Sequence, residues 1–205
     1  MEVDERQMRI VFAYALMALG LMLPATASAT DWQPSEEVKT YAINGRTGME
    51  LYQSIGERGP QVGPGRVIAH TTFKLTWTRK YEQQGSACTL TFARPKLIIF
   101  YTLPKAPNDL PASTKASWDS FIDGVRKHER WHGETIVEMV KQIEALSNGF
   151  SVPDDPGCKK IRPELTVRLG ELSNKQRQQG RDFDRVEMSE GGNIQQLILK
   201  LVNGP

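Results

Sequence analysis

Histidine is scarce in this chain, three residues among 205, and so is cysteine, with two. Neither charge sign dominates, since 26 Lys and Arg stand against 24 Asp and Glu. A near-balanced chain with no basic block and no basic–aromatic interleaving gives nucleic-acid binding no support. There is no Gly-rich phosphate loop and no nucleophile elbow, so two common routes to group transfer are missing. Internal repeats and low-complexity tracts are absent as well. A Ser-His-Asp arrangement does not stand out either, because the isolated histidine, His70, falls within a strand pattern. What remains is ordinary globular composition, 39% apolar and 24% charged, enough for a real core.

The amino terminus reads as a targeting segment. Met8-Arg9 precedes an apolar run from Ile10 to Leu23, and a small-residue stretch ends at Ala27-Ser28-Ala29. A positive start, an apolar centre and an A-x-A site describe a signal peptide over residues 1–29, cleaved after Ala29. Glu2, Asp4 and Glu5 are foreign to such a start, which makes Met8 the expected biological first residue. A membrane anchor is the alternative, but the apolar run is shorter than the ~20 residues a span needs and a cleavage site follows it, so no stable anchor is expected after cleavage. In an exported chain the pair Cys88 and Cys158 reads as a disulfide. Zinc held by the two thiols is the alternative, but they lack C-x-x-C spacing.

Along the remainder, Val38 to Ile43 is a short strand, and Thr47 caps a short helix that ends at Gly56 to Pro60. Residues 61–65 are a Gly/Pro-rich loop. Arg66 to Tyr81 alternates with period two. A strand through Cys88, Leu90 and Phe92 and a third from Lys96 to Leu103 follow, and the three together predict an antiparallel meander. Pro104, Pro107 and Pro111 mark a connector. A long helix then starts near Ser113 or Ser117, runs to about Leu146 and stops at Asn148-Gly149. A second, very polar helix opens at Arg162-Pro163-Glu164, and a final amphipathic one spans Ile194 to Val202, its apolar stripe docking on the same domain.

The long helix carries the chemistry. His128-Glu129-Arg130-Trp131-His132 spells H-E-x-x-H. Residues four apart on a helix lie one above the other, so both imidazoles can turn to one ion while Glu129 takes a proton from a water on it. The stripe of Trp118, Phe121, Ile122, Val125, Ile136, Met139, Val140 and Ile143 continues through this motif. Polar groups on an apolar face are costly unless satisfied, and a metal would satisfy them. Core histidines hydrogen-bonded to the sheet are the plainer alternative.

A hydrolytic zinc site usually has three protein ligands and an open fourth position. Glu134 and Glu138 lie toward other faces of the helix or too far along it. Among the later acids Glu164, Glu171, Asp182, Asp184, Glu187 and Glu190, the choice is Asp184, beside Phe183 and before a Gly-rich break, with His70 or Glu190 as rivals.

The chain resembles the bacterial predicted secreted zinc-dependent proteases, a domain-of-unknown-function group. The resemblance rests on the H-E-x-x-H helix, with supporting pattern at Tyr41 to Gly45, Leu51, Thr76-Trp77, Cys88, Leu97 to Phe100, Trp118, Phe121, Cys158 and Phe183-Asp184. Relatives tend to follow the aromatic-Asp pair with a Thr-x-His-Gly-like segment. Here that stretch is Glu187-Met188-Ser189-Glu190-Gly191, with no histidine.

Taken together, the expected fold is α+β, a small antiparallel sheet packed on the H-E-x-x-H helix and covered by carboxy-terminal helices. Residues 30–205 would form one zinc-protease-like domain. The expected function is a periplasmic or secreted Zn2+ metallopeptidase acting on a peptide or protein substrate, with His128, His132 and Asp184 as ligands and Glu129 as general base. Tyr81, Tyr101 and Arg130 are candidates for stabilising the oxyanion. A non-catalytic envelope protein with a structural or vestigial metal site is the alternative, and hydrolysis of a cell-wall amide a third reading.

Overall fold

The structure is a computed structural model that describes residues 32–204; the signal-peptide and start-site expectations lie outside the described residues. The architecture is α+β, with a four-stranded sheet on one side and helices on the other. Its organising strand is β5 (Ala87–Lys105), paired antiparallel with β4 (His70–Gln84) through the two-residue turn Gly85-Ser86. Gly85 takes a positive φ of 62°, which two-residue hairpins demand of a central residue.

The pairing differs from the expected meander in two ways. First, the strands anticipated at Cys88 to Phe92 and Lys96 to Leu103 are one continuous strand. The register slips by one residue between Lys80 and Tyr81, which pair with Phe92 and Leu90 and leave Thr91 unpaired. A bulge of that kind switches which side chains point inward. Cys88 and Leu90 are buried before it, and Ala93, Leu97, Ile99, Tyr101 and Leu103 after it. The phase change looks like a strand break in the sequence. Pro95 adds to that impression, but β1 (Ser35–Ala42) pairs with β5 only from Ile98 onward, so no ladder partner is lost on that side. Second, β1 runs parallel to β5, along the edge opposite β4. The Gly/Pro-rich loop closes on itself as a minimal hairpin of β2 (Gln61–Val62) and β3 (Gly65–Arg66).

Helix α1 (Gly48–Arg58) starts on a capping box: Glu50 N–H donates to Thr47 Oγ1 at 3.3 Å, and Thr47 N–H donates to Glu50 Oε2 at 3.1 Å. Helix α2 (Ala112–Ser147) lays its anticipated stripe on the sheet, and all eight apolar members are buried. Gly133 lets it come close. A β-carbon there would lie 2.1 Å from the Tyr101 hydroxyl, so only glycine permits this spacing.

Two helices complete the cover, α3 (Ile161–Met188) and α4 (Asn193–Val202). The start of α3 is pinned twice. The Cys88–Cys158 disulfide is formed, with Cα atoms 5.2 Å apart, tying the preceding loop to β5. Buried Asp155 accepts hydrogen bonds from the backbone N–H groups of Lys159, Lys160 and Ile161. Burial works against that carboxylate's charge, but those donors and Lys160 outweigh it and hold its pKa below the ordinary value. Helix α4 docks as expected, with Ile194 and Leu201 buried and the Leu201 backbone set against Gly48.

Candidate metal centre

The three motif residues divide between two sides of α2. Glu129 is 6% exposed and faces the sheet, where Thr71 Oγ1 of β4 donates to its Oε2 at 2.5 Å. Thr71 also reaches the Glu129 backbone carbonyl at 3.1 Å. The histidines turn instead toward α3, with side chains 10% and 16% exposed for His128 and His132. The centre of the buried stripe therefore passes through Glu129 and Gly133, and the imidazoles flank it.

Asp184 meets both imidazoles. Its Oδ1 lies 3.1 Å from His128 Nε2 and 2.8 Å from His132 Nε2, and the two nitrogens are 3.2 Å apart. Neighbouring ligands of a tetrahedral ion with bonds of ~2.0–2.1 Å are separated by roughly 3.3 Å. Two edges of the triangle of donor atoms, 3.1 and 3.2 Å, are close to what such an ion requires, and the third, 2.8 Å between His132 and Asp184, is about half an ångström shorter. Two imidazole nitrogens and a carboxylate oxygen are also a donor set that divalent zinc favours. Among the described residues this is the one cluster of three or more metal-capable groups found.

Aromatic packing sets the α2–α3 distance at this point. Phe183 stacks on Trp131 with ring centroids 3.8 Å apart and on His128 at 4.8 Å. That wedge brings Asp184, the next residue, to the imidazole pair. On the far side of His128, Glu187 Oε2 lies 3.7 Å from Nδ1, and the same oxygen accepts a hydrogen bond from Asn193 Nδ2 at 3.1 Å. His128 Nδ1 is buried and makes no hydrogen bond at that distance, which leaves Glu187 its nearest acidic neighbour.

The electrostatics of the cluster favour a cation. Burial alone would lower the His128 pKa, but the hydrogen bond with Asp184 and the charges of Glu129, Asp184 and Glu187 outweigh it, lifting the value above the ordinary 6.5. For Asp184, burial would raise the pKa; contacts with both imidazoles instead hold it well below the usual carboxylate range. A proton is thus drawn to the place where a metal ion would supply the positive charge.

The cluster opens into a cavity of about 590 Å³. Segment 67–71, including His70 and Thr71, forms one wall, and Gln176, Arg177, Gly180, Arg181 and Asp184 of α3 form another. His70 therefore borders the site without joining the ligand triangle. Glu164, Glu171, Asp182 and Glu190 stay out of it too; Asp182 is engaged by Arg185 at 2.7 Å. The three oxyanion candidates do not line the cavity. The Tyr101 hydroxyl donates to Glu36, and burial pushes its pKa up to about 12. The Tyr81 ring lies beneath Arg162.

Comparison with known families places the chain. The description "Bacterial protein of unknown function (DUF922)" matches residues 38–192, three quarters of its length. The chain belongs to this family. The span shared with DUF922 runs from β1 through α3 and so contains the H-E-x-x-H motif, Thr71, Asp184 and Glu187. Searches of curated proteins and of solved structures found no match.

The sequence alone did not point to Thr71 as the partner of Glu129. The contact depends on how β4 is placed beneath α2, and one threonine among several in a strand carries no signal of it. The part played by the Trp131–Phe183 stack was equally hidden, because the two rings are far apart in sequence.

Proposed function

We propose that this DUF922 protein is an exported zinc-dependent metallopeptidase. The observation that carries the reading is the convergence of His128 Nε2, His132 Nε2 and Asp184 Oδ1, all within 3.2 Å of one another, beside a buried glutamate that lines the same cavity. The two imidazoles and Asp184 would hold the ion. When bound, such an ion polarises a peptide carbonyl and makes water a stronger acid. Glu129 accepts the proton of the attacking water on its carboxylate and passes it to the departing amine. Thr71 pins one carboxylate oxygen of Glu129, so the group is oriented before substrate arrives. The edge of β4 that faces away from β5 has no strand partner among the described residues, and His70 and Thr71 at its start border the cavity. An extended peptide could pair there and lay its backbone across the site.

The Ala27-Ser28-Ala29 cleavage signal and the Cys88–Cys158 disulfide support a periplasmic or secreted location. No described helix is long and apolar enough to cross a membrane. Glu129→Gln is expected to keep about one zinc per chain and to lose peptide hydrolysis. Undiminished cleavage by that variant would refute the assignment.

The missing histidine after Phe183-Asp184 favours a second reading, a non-catalytic envelope protein whose site is structural or vestigial. Stoichiometric zinc without turnover on casein or on muropeptides would select it.

A further inference from the structure

Helix α3 presents a stripe to the cavity that reads Arg177, Arg181, Asp184, Met188, at spacings of four, three and four. Three arginines of this helix share one local geometry, in which the guanidinium bonds to the side chain three residues earlier. Arg185, which does not line the cavity, bonds in this way to the carboxylate of Asp182 at 2.7 Å. At the two positions that do line it, the partner is an amide. Arg177 Nη2 donates to Asn174 Oδ1 at 2.5 Å, and Arg181 donates to Gln178 Oε1. The amides fix the direction of each side chain without cancelling its charge. Arg181 also lies near Asp182, but the hydrogen bonds of that carboxylate go to Arg185 and Gln178. A guanidinium with one neutral partner keeps several N–H donors in the planar fork that suits a carboxylate.

The charges around the cavity sharpen the point. The two arginines are opposed only by Glu129 and Asp184 among the lining residues, and Asp184 is already occupied by the two imidazoles. With a divalent ion in place, the wall is net positive.

We propose that Arg177 and Arg181 select peptides carrying a carboxylate close to the bond presented to the site. This rests on the metallopeptidase reading above for its substrate class. The carboxylate is either an acidic side chain or the free carboxyl terminus of the peptide. Both offer the same pair of oxygens to the guanidinium forks.

Binding can be tested separately from turnover. Matched fluorescein-labelled octapeptides, with two central residues either glutamate or glutamine and the terminus either free or amidated, are titrated by anisotropy. The proteins are zinc-loaded Glu129→Gln and the metal-free parent chain. The carboxylate-bearing member of one pair should bind about tenfold or more tighter. The advantage should shrink as salt rises. A glutamate/glutamine difference identifies the side chain, and a free/amidated difference identifies the terminus. Arg177→Gln with Arg181→Gln should abolish the preference, whereas Arg185→Gln, which removes a like charge from the same helix, should leave it. Equal binding of all four peptides, no binding of any, a preference that survives the double substitution, or equal loss in Arg185→Gln would each overturn the proposal. If zinc-dependent cleavage proceeds without the preference, selectivity alone fails. Retention of the preference by a protein that never cleaves instead leaves selectivity standing and removes the enzyme.

Discussion

Replacing Thr71 by valine removes one hydroxyl from a site of nearly the same shape, and that hydroxyl is the side-chain donor to buried Glu129. At 2.5 Å the contact is in the range of charge-assisted O–H···O bonds. Hydrogen bonds to charged groups contribute about 1.5–3 kcal/mol, and leaving a buried carboxylate short of a donor costs a similar amount. Thr71→Val should therefore destabilise the metal-free protein by about 1.5–3 kcal/mol, a fall in Tm of roughly 3–12 °C for a domain of this size. Thr71→Ser, which keeps the donor, should recover most of the loss. If the protein is the metallopeptidase proposed above, turnover supplies a second readout, since a glutamate released from its anchor should lower kcat more than it raises KM. Thermal melts followed by circular dichroism, with and without Glu129→Met, close the double-mutant cycle. If valine costs as much when Glu129 is absent as when it is present, the loss is one of packing and the anchoring argument is wrong.

The pH dependence of stability follows from the two shifted groups. The stabilisation from His128, whose pKa is raised, is fully present below the ordinary 6.5 and is lost as pH rises through the folded value. That from Asp184, whose pKa is depressed, is present above the ordinary 3.8 and is lost as pH falls toward its folded value. The metal-free protein should accordingly gain most from this pair between those two ordinary values, and zinc should offset the loss on the alkaline side; urea midpoints across pH check both. Replacing Cys88 and Cys158 by alanine opens a 70-residue loop, for which chain entropy gives about 4 kcal/mol. Urea unfolding should show a loss of about 2–4 kcal/mol. Gly133→Ala forces a β-carbon to within 2.1 Å of the Tyr101 hydroxyl. Overpacking of about 1–3 kcal/mol should exceed the helix-propensity gain of up to ~1 kcal/mol, and a Tyr101→Phe background should soften the effect in thermal melts.

The long helix was legible because its apolar period, its stop at Asn148-Gly149 and the H-E-x-x-H spacing all belong to one continuous segment. Asp184 was within reach because its neighbour Phe183 marks an apolar contact in an otherwise polar helix. The sheet was harder. A single bulge at Thr91 shifted the alternation of β5, and the parallel pairing of β1 depends on a contact across more than fifty residues that no local pattern encodes. The division of labour on α2 was hidden for a similar reason. Helical spacing places Glu129 beside the histidines, but only the position of β4 decides that the glutamate faces a strand while the imidazoles face a helix.

The central claim concerns an ion held between α2 and α3, and anomalous diffraction at the zinc edge from crystals of the zinc-loaded protein tests it most directly. One peak is predicted, bonded at about 2.0–2.2 Å to Nε2 of His128, Nε2 of His132 and Oδ1 of Asp184. Absence of a peak there, with the imidazoles and Asp184 still bonded to one another, would contradict it.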